Sequence, residues 1–352
     1  MTPVETSWEE IEAVCLEALT LHGAAAETAR AVAGAITRAE ADGNRVCGLY
    51  YLPIFCRHLA IGKVDGEAVP EVTTRGVTVT VDARSGFAHP AIAAGTPALI
   101  DLARQAGLAA MAVRNSYNCL ALGHHVRPLA DAGLIGICVS NAPASVAPPG
   151  ATRALFGTNP LAFAVPSKEG APTIVVDQSM SAVTKTEMIL RRDRGEAIPI
   201  GWAQDGNGQP TTDAATGLEG SLLPAGGRKG ANIALLVEVL AAALTGSALS
   251  TEASAFGNEE GGPPHVGQFL IAIDPDHFAA GHFSEAMDNL VASHDAAGVR
   301  LPGHFGRKQP VCVDADLWKK AVLLSTARSL DKSAKPAHHR LAVVSVLRNC
   351  MD

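Results

Sequence analysis

Leu155-Phe156-Gly157-Thr158-Asn159-Pro160-Leu161-Ala162-Phe163-Ala164-Val165 is the stretch from which the rest of the chain can be placed. Gly157, Asn159 and Pro160 are turn residues, and the apolar run after them, 161–165, reads as a strand. Upstream, 108–113 and 134–139 read as strands around a helix over 124–132. A loop rich in Pro and Gly follows over 142–159. Downstream, 173–176 and 268–273 read as strands. Helices are expected over 181–192, over 229–244 (apolar enough to be a buried helix) and from 283 to 291. Between them, 195–220 reads as one long polar loop, with Asp205-Gly206, Asn207-Gly208 and Gln209-Pro210 as turn pairs. Nearer the N-terminus the apolar spacing predicts helices over 7–42, 50–59 and 92–105, and a small hairpin over 72–81. Two helical segments are expected around Pro336 in the tail. The whole is an α/β pattern without internal repeats.

The chain has 352 residues, too many for one simple domain. With 47% hydrophobic but only 4% aromatic residues, its core must be mostly aliphatic. Lys and Arg number 28 against 35 Asp and Glu, for a net charge of -7. A mildly acidic protein without a basic block is a poor nucleic-acid binder. Glu5, Glu9 and Glu10 stand where a secretory signal would need positive charge, and no apolar run is long enough for a membrane span. Seven cysteines without paired spacing suggest free thiols and a cytoplasmic setting.

General motifs are sparse. There is no G-x-G-x-x-G, no Walker A sequence and no H-E-x-x-H. Gly226-Gly227-Arg228-Lys229-Gly230 is the nearest to a phosphate cradle, and equally reads as a glycine turn before a helix. His124-His125 and His338-His339 are adjacent pairs, which point to different faces of a helix, so no metal site is expected.

Five runs, in order, carry a resemblance. They are Leu155–Pro160 with its strand, Ser140-Asn-Ala-Pro-Ala-Ser-Val-Ala-Pro-Pro-Gly150, and Gly201-Trp-Ala with Asp205, Gly208 and Pro210-Thr-Thr-Asp213. Leu222-Leu-Pro-Ala-Gly-Gly-Arg-Lys-Gly230 and Arg300-Leu-Pro-Gly303 complete the set. Together they resemble the malate/L-lactate dehydrogenase-like family, and their wording is nearest to its Δ1-piperideine-2-carboxylate and Δ1-pyrroline-2-carboxylate reductases. The resemblance implies a non-Rossmann α/β fold. It implies a helical N-terminal region that serves dimerisation and the active site (1–110), a distinctive NADPH-binding domain (111–300) and a C-terminal segment returning to the first domain (301–352). It implies a homodimeric oxidoreductase of small molecules, with NADPH as cofactor and NADH as the alternative. On this alignment the cofactor would meet Asn118, Cys119, Leu120, Ala121 and Leu122, then Asp177, Gln178 and Ser179. Arg228 and Lys229 would grip phosphate, and Leu301, Pro302, Gly303 and His304 would close the set.

Where the family carries Ser-His-Gly-x-x-Arg, this chain has Val46-Cys47-Gly48-Leu49-Tyr50-Tyr51. Cys47 thus replaces the proton-relaying histidine, and Tyr51 the arginine that clamps the substrate carboxylate. A second family histidine, in "NSxHFGAxG", is Asn118. The acid that assists the relay in the imine-reductase branch corresponds to Glu187, and Thr158 is a substrate or nicotinamide contact.

An ordinary thiol is about 97% protonated at pH 7, so Cys47 suits an acid better than a base. Oxidising a 2-hydroxy acid needs a base, whereas an iminium ion can arrive already protonated. Reduction of C=N therefore survives these substitutions better, and a cyclic imine of specialised biosynthesis is the expected substrate. Without the arginine, the substrate either lacks a free carboxylate (an ester, amide or carrier-linked imine) or another group holds it. Arg57 is one candidate, though a solvated arginine is its plainer reading. Cys47 also reads as a small packing residue, Asn118 as a partner of the cofactor amide, and Glu187 as a surface carboxylate. A non-redox enzyme using Cys47 and an inactive cofactor-binding homologue are the rival functions.

Overall fold

A computed structural model describes residues 3–167, 174–303 and 310–326. In chain order the elements begin with β1 (Pro3–Thr6), α1 (Trp8–Leu21), α2 (Ala26–Ala41), two short 3-10 turns (Arg45–Cys47 and Leu49–Tyr51) and α3 (Leu52–Ile61). There follow β2 (Glu71–Arg75), β3 (Thr78–Asp82), α4 (Ala88–Ala106), β4 (Leu108–Ser116), α5 (Gly123–Asp131), β5 (Ile135–Ser140), β6 (Leu161–Val165) and β7 (Ile174–Gln178). Next come α6 (Lys185–Asp193), β8 (Ala203–Gln204), β9 (Pro210–Thr211), α7 (Ala214–Glu219), β10 (Ser221–Leu222) and α8 (Arg228–Glu238). A π turn (Val239–Ala243), β11 (Val266–Ile273), α9 (Asp276–Ala279), α10 (Phe283–Ala296), β12 (Val311–Asp314) and α11 (Ala315–Thr326) complete the described chain.

The main sheet has seven strands in the order β2-β3-β4-β11-β5-β6-β7. Only β3 and β4 run parallel, and every other neighbouring pair is antiparallel. A doubly wound nucleotide fold needs a largely parallel sheet, so this α/β fold is not of the Rossmann type. β4 crosses residue 110, so β2 and β3 belong to the same sheet as the strands after that position.

Two cores account for most of the burial. One joins α1, α2 and α3 through Ile11, Leu19, Val32, Ile36, Leu52 and Phe55. Val311, Val313, Ala321 and Leu324 enter the same core, and β12 pairs with β1, so residues 311–326 pack on the N-terminal helices. α1 starts on a capping box: Glu10 N–H donates to the Ser7 hydroxyl, and the Ser7 N–H to the Glu10 carboxylate. The second core packs α4 and α5 on the sheet through Val79, Met111, Leu99, Leu129 and Leu270.

Three expectations need correction. The stretch 195–220 is not one loop: β8, β9 and β10 form a three-stranded sheet, with α7 packed beside it through Ala214. Its strands are too short to show a period in the sequence. The helix expected over 181–192 starts only at Lys185, because Thr184 caps it by accepting from Glu187 N–H. The segment 229–244 is not wholly buried. Leu235, Leu236, Val239 and Leu244 are 51%, 49%, 49% and 58% exposed, so one apolar face looks outward. The segments around Pro336, with Cys350 and His338-His339, lie outside the described residues. No helix among the described residues is long and apolar enough to cross a membrane.

Candidate active site

A cavity of about 350 Å³ lies between the N-terminal helices, the 3-10 turns and the β6–β7 edge of the sheet. That size is in the range of small-molecule sites. Cys47, Tyr51, Asn118 and Thr158 all line it, although they come from widely separated parts of the chain. So do Cys119, Leu120 and Ala121 on one side and Asp177, Gln178 and Ser179 on another.

The chain around Cys47 is held from below. The buried Glu40 carboxylate accepts the Leu49 N–H at 2.6 Å. A Cβ on Gly48 would stand 2.1 Å from Glu40 Oε1, so a larger residue there would push the carboxylate away from the Leu49 N–H. This contact fixes the turn that presents Cys47 and Tyr51.

The Gly157-Thr-Asn-Pro loop owes its shape to Asn159. This fully buried residue has φ +38, a conformation Asn tolerates better than most. Its amide donates to the Ala234 carbonyl and to the buried Glu238 carboxylate, both at 2.9 Å. Glu238 also accepts from the Ser250 N–H and hydroxyl. Asn159 thereby ties the loop to α8, and Thr158 next to it faces the cavity.

The remaining expected residues lie off the lining. Glu187 pairs with Arg191 one helical turn on, at 3.0 Å. Leu122 is buried in the second core. Arg228 and Lys229 are exposed at the start of α8, whose leading turn is tied to the cavity rim where Ala225 N–H donates to the Met180 carbonyl. Leu301 packs on Val165 and Ile174, the Pro302 carbonyl accepts from Val175 N–H, and Gly303 abuts Val175. His304 is outside the described residues. Arg57 is bound to Glu259 at 2.9 Å and does not reach the lining.

Several lining residues carried no sequence signal. Lys185 and Thr186 enter from the first turn of α6, and Phe256 from the loop before β11. That loop is clamped by Lys63, whose ammonium donates to the Ala255, Asn258 and Glu260 carbonyls at 2.7, 2.9 and 2.6 Å. Five of the chain's fifteen aromatic residues gather beneath it. Tyr51, Phe55, Phe87, Tyr117 and Phe256 form a run of ring contacts with centroids 5.2–5.7 Å apart. His58 closes the run with a hydrogen bond to the Tyr117 hydroxyl.

Electrostatically the cavity is subdued. Burial, then the nearby Asp177, pushes the Cys47 thiol up to about 12. Burial raises Asp177 as well, opposed by N–H groups of Gly123 and Leu122 that point at its carboxylate. The Tyr51 hydroxyl, also raised by burial, rests against the Thr186 and Asn118 side chains. Among the described residues no group of three or more His, Cys, Asp or Glu converges as metal ligands.

The family model of malate/L-lactate dehydrogenase matches residues 6–309. The chain is a member of that family. It is therefore an NAD(P)-dependent oxidoreductase acting on small molecules. It is 42% identical over 297 residues to (2R)-3-sulfolactate dehydrogenase (NADP(+)) of Chromohalobacter salexigens, covering 84% of this chain and 89% of that one. It is 41% identical over 305 residues to Delta(1)-pyrroline-2-carboxylate reductase of Ancylobacter novellus, covering 85% and 89%. The crystal structure of delta1-piperideine-2-carboxylate reductase from Pseudomonas syringae pvar. tomato superposes with a TM-score of 0.86 at 36% identity, covering 91% of this chain and 99% of that one.

Proposed function

We propose that this family member uses NADPH to reduce the C=N bond of a small cyclic imine. The observation that carries the reading is the protonated wall at Cys47. A thiol pushed up to about 12 cannot take a proton from a hydroxy acid near neutrality, and among the described residues no histidine lines the cavity. Similarity to imine reductases points the same way.

The residues present fit a nicotinamide cofactor. Asn118, Gln178 and Thr158 offer the neutral amide and hydroxyl groups that a carboxamide and a ribose require. Arg228 and Lys229, exposed beyond the cavity, are placed for phosphate. When bound, the reduced nicotinamide supplies the hydride. Thr158 orients the imine and Tyr51 and Phe256 line the chamber around it; an imine that arrives protonated needs no proton from the wall, and one that arrives neutral would gain its N–H proton from Cys47 or a water. A nucleophilic role for Cys47 is disfavoured by the same raised thiol.

Homodimerisation belongs to this reading, since a second copy would cover the outward face of α8 and its π turn. So does a cytoplasmic location, where reduced nicotinamides are available. A role in specialised biosynthesis rests on the altered Cys47 wall.

The test mixes protein, NADPH and Δ1-piperideine-2-carboxylate and follows loss of the reduced-nicotinamide absorbance. Turnover is expected. Silence with five- and six-membered imines, together with oxidation of sulfolactate, would transfer the assignment to hydroxy-acid dehydrogenation, the reading favoured by the 42% relative.

A further inference from the structure

Among the described residues that line the cavity, Lys185 is the single cation and Asp177 the single carboxylate. The side chain enters from the first residue of α6, next to Thr186. Other cations around the site are committed. Lys63 holds three carbonyls, Arg57 holds Glu259, and Arg191 holds Glu187. Lys185 is exposed at the mouth of the cavity, among the described residues nothing bonds to its ammonium, and the protein packed around its stem holds it below the usual lysine range. An ammonium without a counter-charge, in a cavity sized for a small molecule, attracts an anion.

Its place matters as much as its charge. Tyr51 stands where the family resemblance puts the carboxylate-clamping arginine, and the Tyr51 hydroxyl rests on Thr186, the neighbour of Lys185. The cation lost from the turn before α3 is thus matched by one at the start of α6, on the residue before the one that meets the Tyr51 hydroxyl.

We propose that Lys185 is the substrate-anchoring residue, pairing its ammonium with the carboxylate of a cyclic imino acid. The proposal rests on the reductase reading and sharpens it. The substrate keeps its free carboxylate, and an ester, amide or carrier link is unnecessary.

Calorimetric titration without NADPH tests this. Wild type, Lys185→Met and Lys185→Arg are each titrated with Δ1-piperideine-2-carboxylate and with Δ1-piperideine, which lacks the carboxylate. Lys185→Met should weaken the carboxylate ligand by about tenfold to a hundredfold, as loss of a charged hydrogen bond does. Lys185→Arg should stay within about threefold of wild type by the same scale. The uncharged ring should bind all three proteins alike. With NADPH present, the loss should fall on KM rather than kcat. If Lys185→Met does not fold, Lys185→Gln takes its place. Equal affinity of wild type and variant for the carboxylate, equal loss for both ligands, or no binding to wild type overturns the proposal. Binding that depends on Lys185 without turnover would sink the reductase reading and keep the anchor. Turnover with an unchanged KM in Lys185→Met would do the reverse.

Discussion

On one side of the cavity, residues 46–51 offer an aliphatic group, a thiol and a phenol at the positions where the family resemblance puts serine, histidine and arginine. On the other, the end of β7 and the start of α6 offer Asp177 and Lys185. The first wall has lost the imidazole and the guanidinium, and the second holds the only charges of the lining among the described residues. A site can lose its acid–base residues and still recognise an ionic substrate when recognition and proton transfer sit on different elements. A C=N substrate tolerates that division because its nitrogen can bring its own proton.

Restoring the first wall would remove the contrast between the two sides. Val46→Ser with Cys47→His should raise 2-hydroxy-acid oxidation by about a hundredfold, the lower end of what a positioned general base contributes. Steady-state rates with NADP+ and sulfolactate read this out. No gain would mean that the missing imidazole is not what limits oxidation.

A second test probes the layer beneath. His125 is buried against His89 and His124, and burial pulls it down to about 3 and His124 to about 4. His89 has both ring nitrogens buried without a partner among the described residues. These rings are neutral in the fold, whereas in the unfolded chain they bind protons below about pH 6.5. Their stabilising contribution is therefore complete above that pH and is lost as pH falls toward 4. For His125 the loss at pH 5 is about 2 kcal/mol. Thermal melts between pH 8 and 5 check the sign, and His125→Gln should flatten the slope.

Smaller still is Tyr51→Phe. It leaves the Thr186 and Asn118 side chains short of one partner, at about 1–2 kcal/mol of stability. Chemical denaturation measures it, and the uncharged imine should still turn over. The smallest effect belongs to Cys47→Ala. If the nitrogen arrives protonated, kcat should change by no more than about threefold, well short of the effect of losing a needed general acid. Loss of all turnover would return Cys47 to the centre of the chemistry.

Much of this was legible in the sequence because the informative residues sit in short, rigid runs. Gly157-Thr-Asn-Pro could be read because Asn159 makes one loop conformation do one job. Asn118 could be read because Asn115, Ser116, Ala121 and Gly123 of its motif stand around it, and Cys47 because Gly48 and the following Leu52-Pro53 keep the register of a motif otherwise replaced. Lys185 could not. Whether Lys185 or Glu187 turns inward depends on where α6 begins, and the Thr184 cap sets that point four residues after the expected start. Once Glu187 is free to reach Arg191 it has no reason to face the cavity. The ring cluster was hidden for another cause: Tyr51, Phe87, Tyr117 and Phe256 meet only through tertiary packing, and no local period announces them. The outward face of α8 was hidden because an apolar helix reads the same whether its own chain or a second copy covers it.

The grip of Lys63 on the loop at 255–260 has a bearing on how such enzymes diversify. Phe256 owes its position to an ammonium on the far side of the polypeptide, which no ligand in the cavity meets. Drift at position 63, or at the Arg57–Glu259 pair, would re-cut one rim of the chamber while its lining kept the same residues. Selection for a bulkier ring could therefore act first on positions that a comparison of lining residues would pass over.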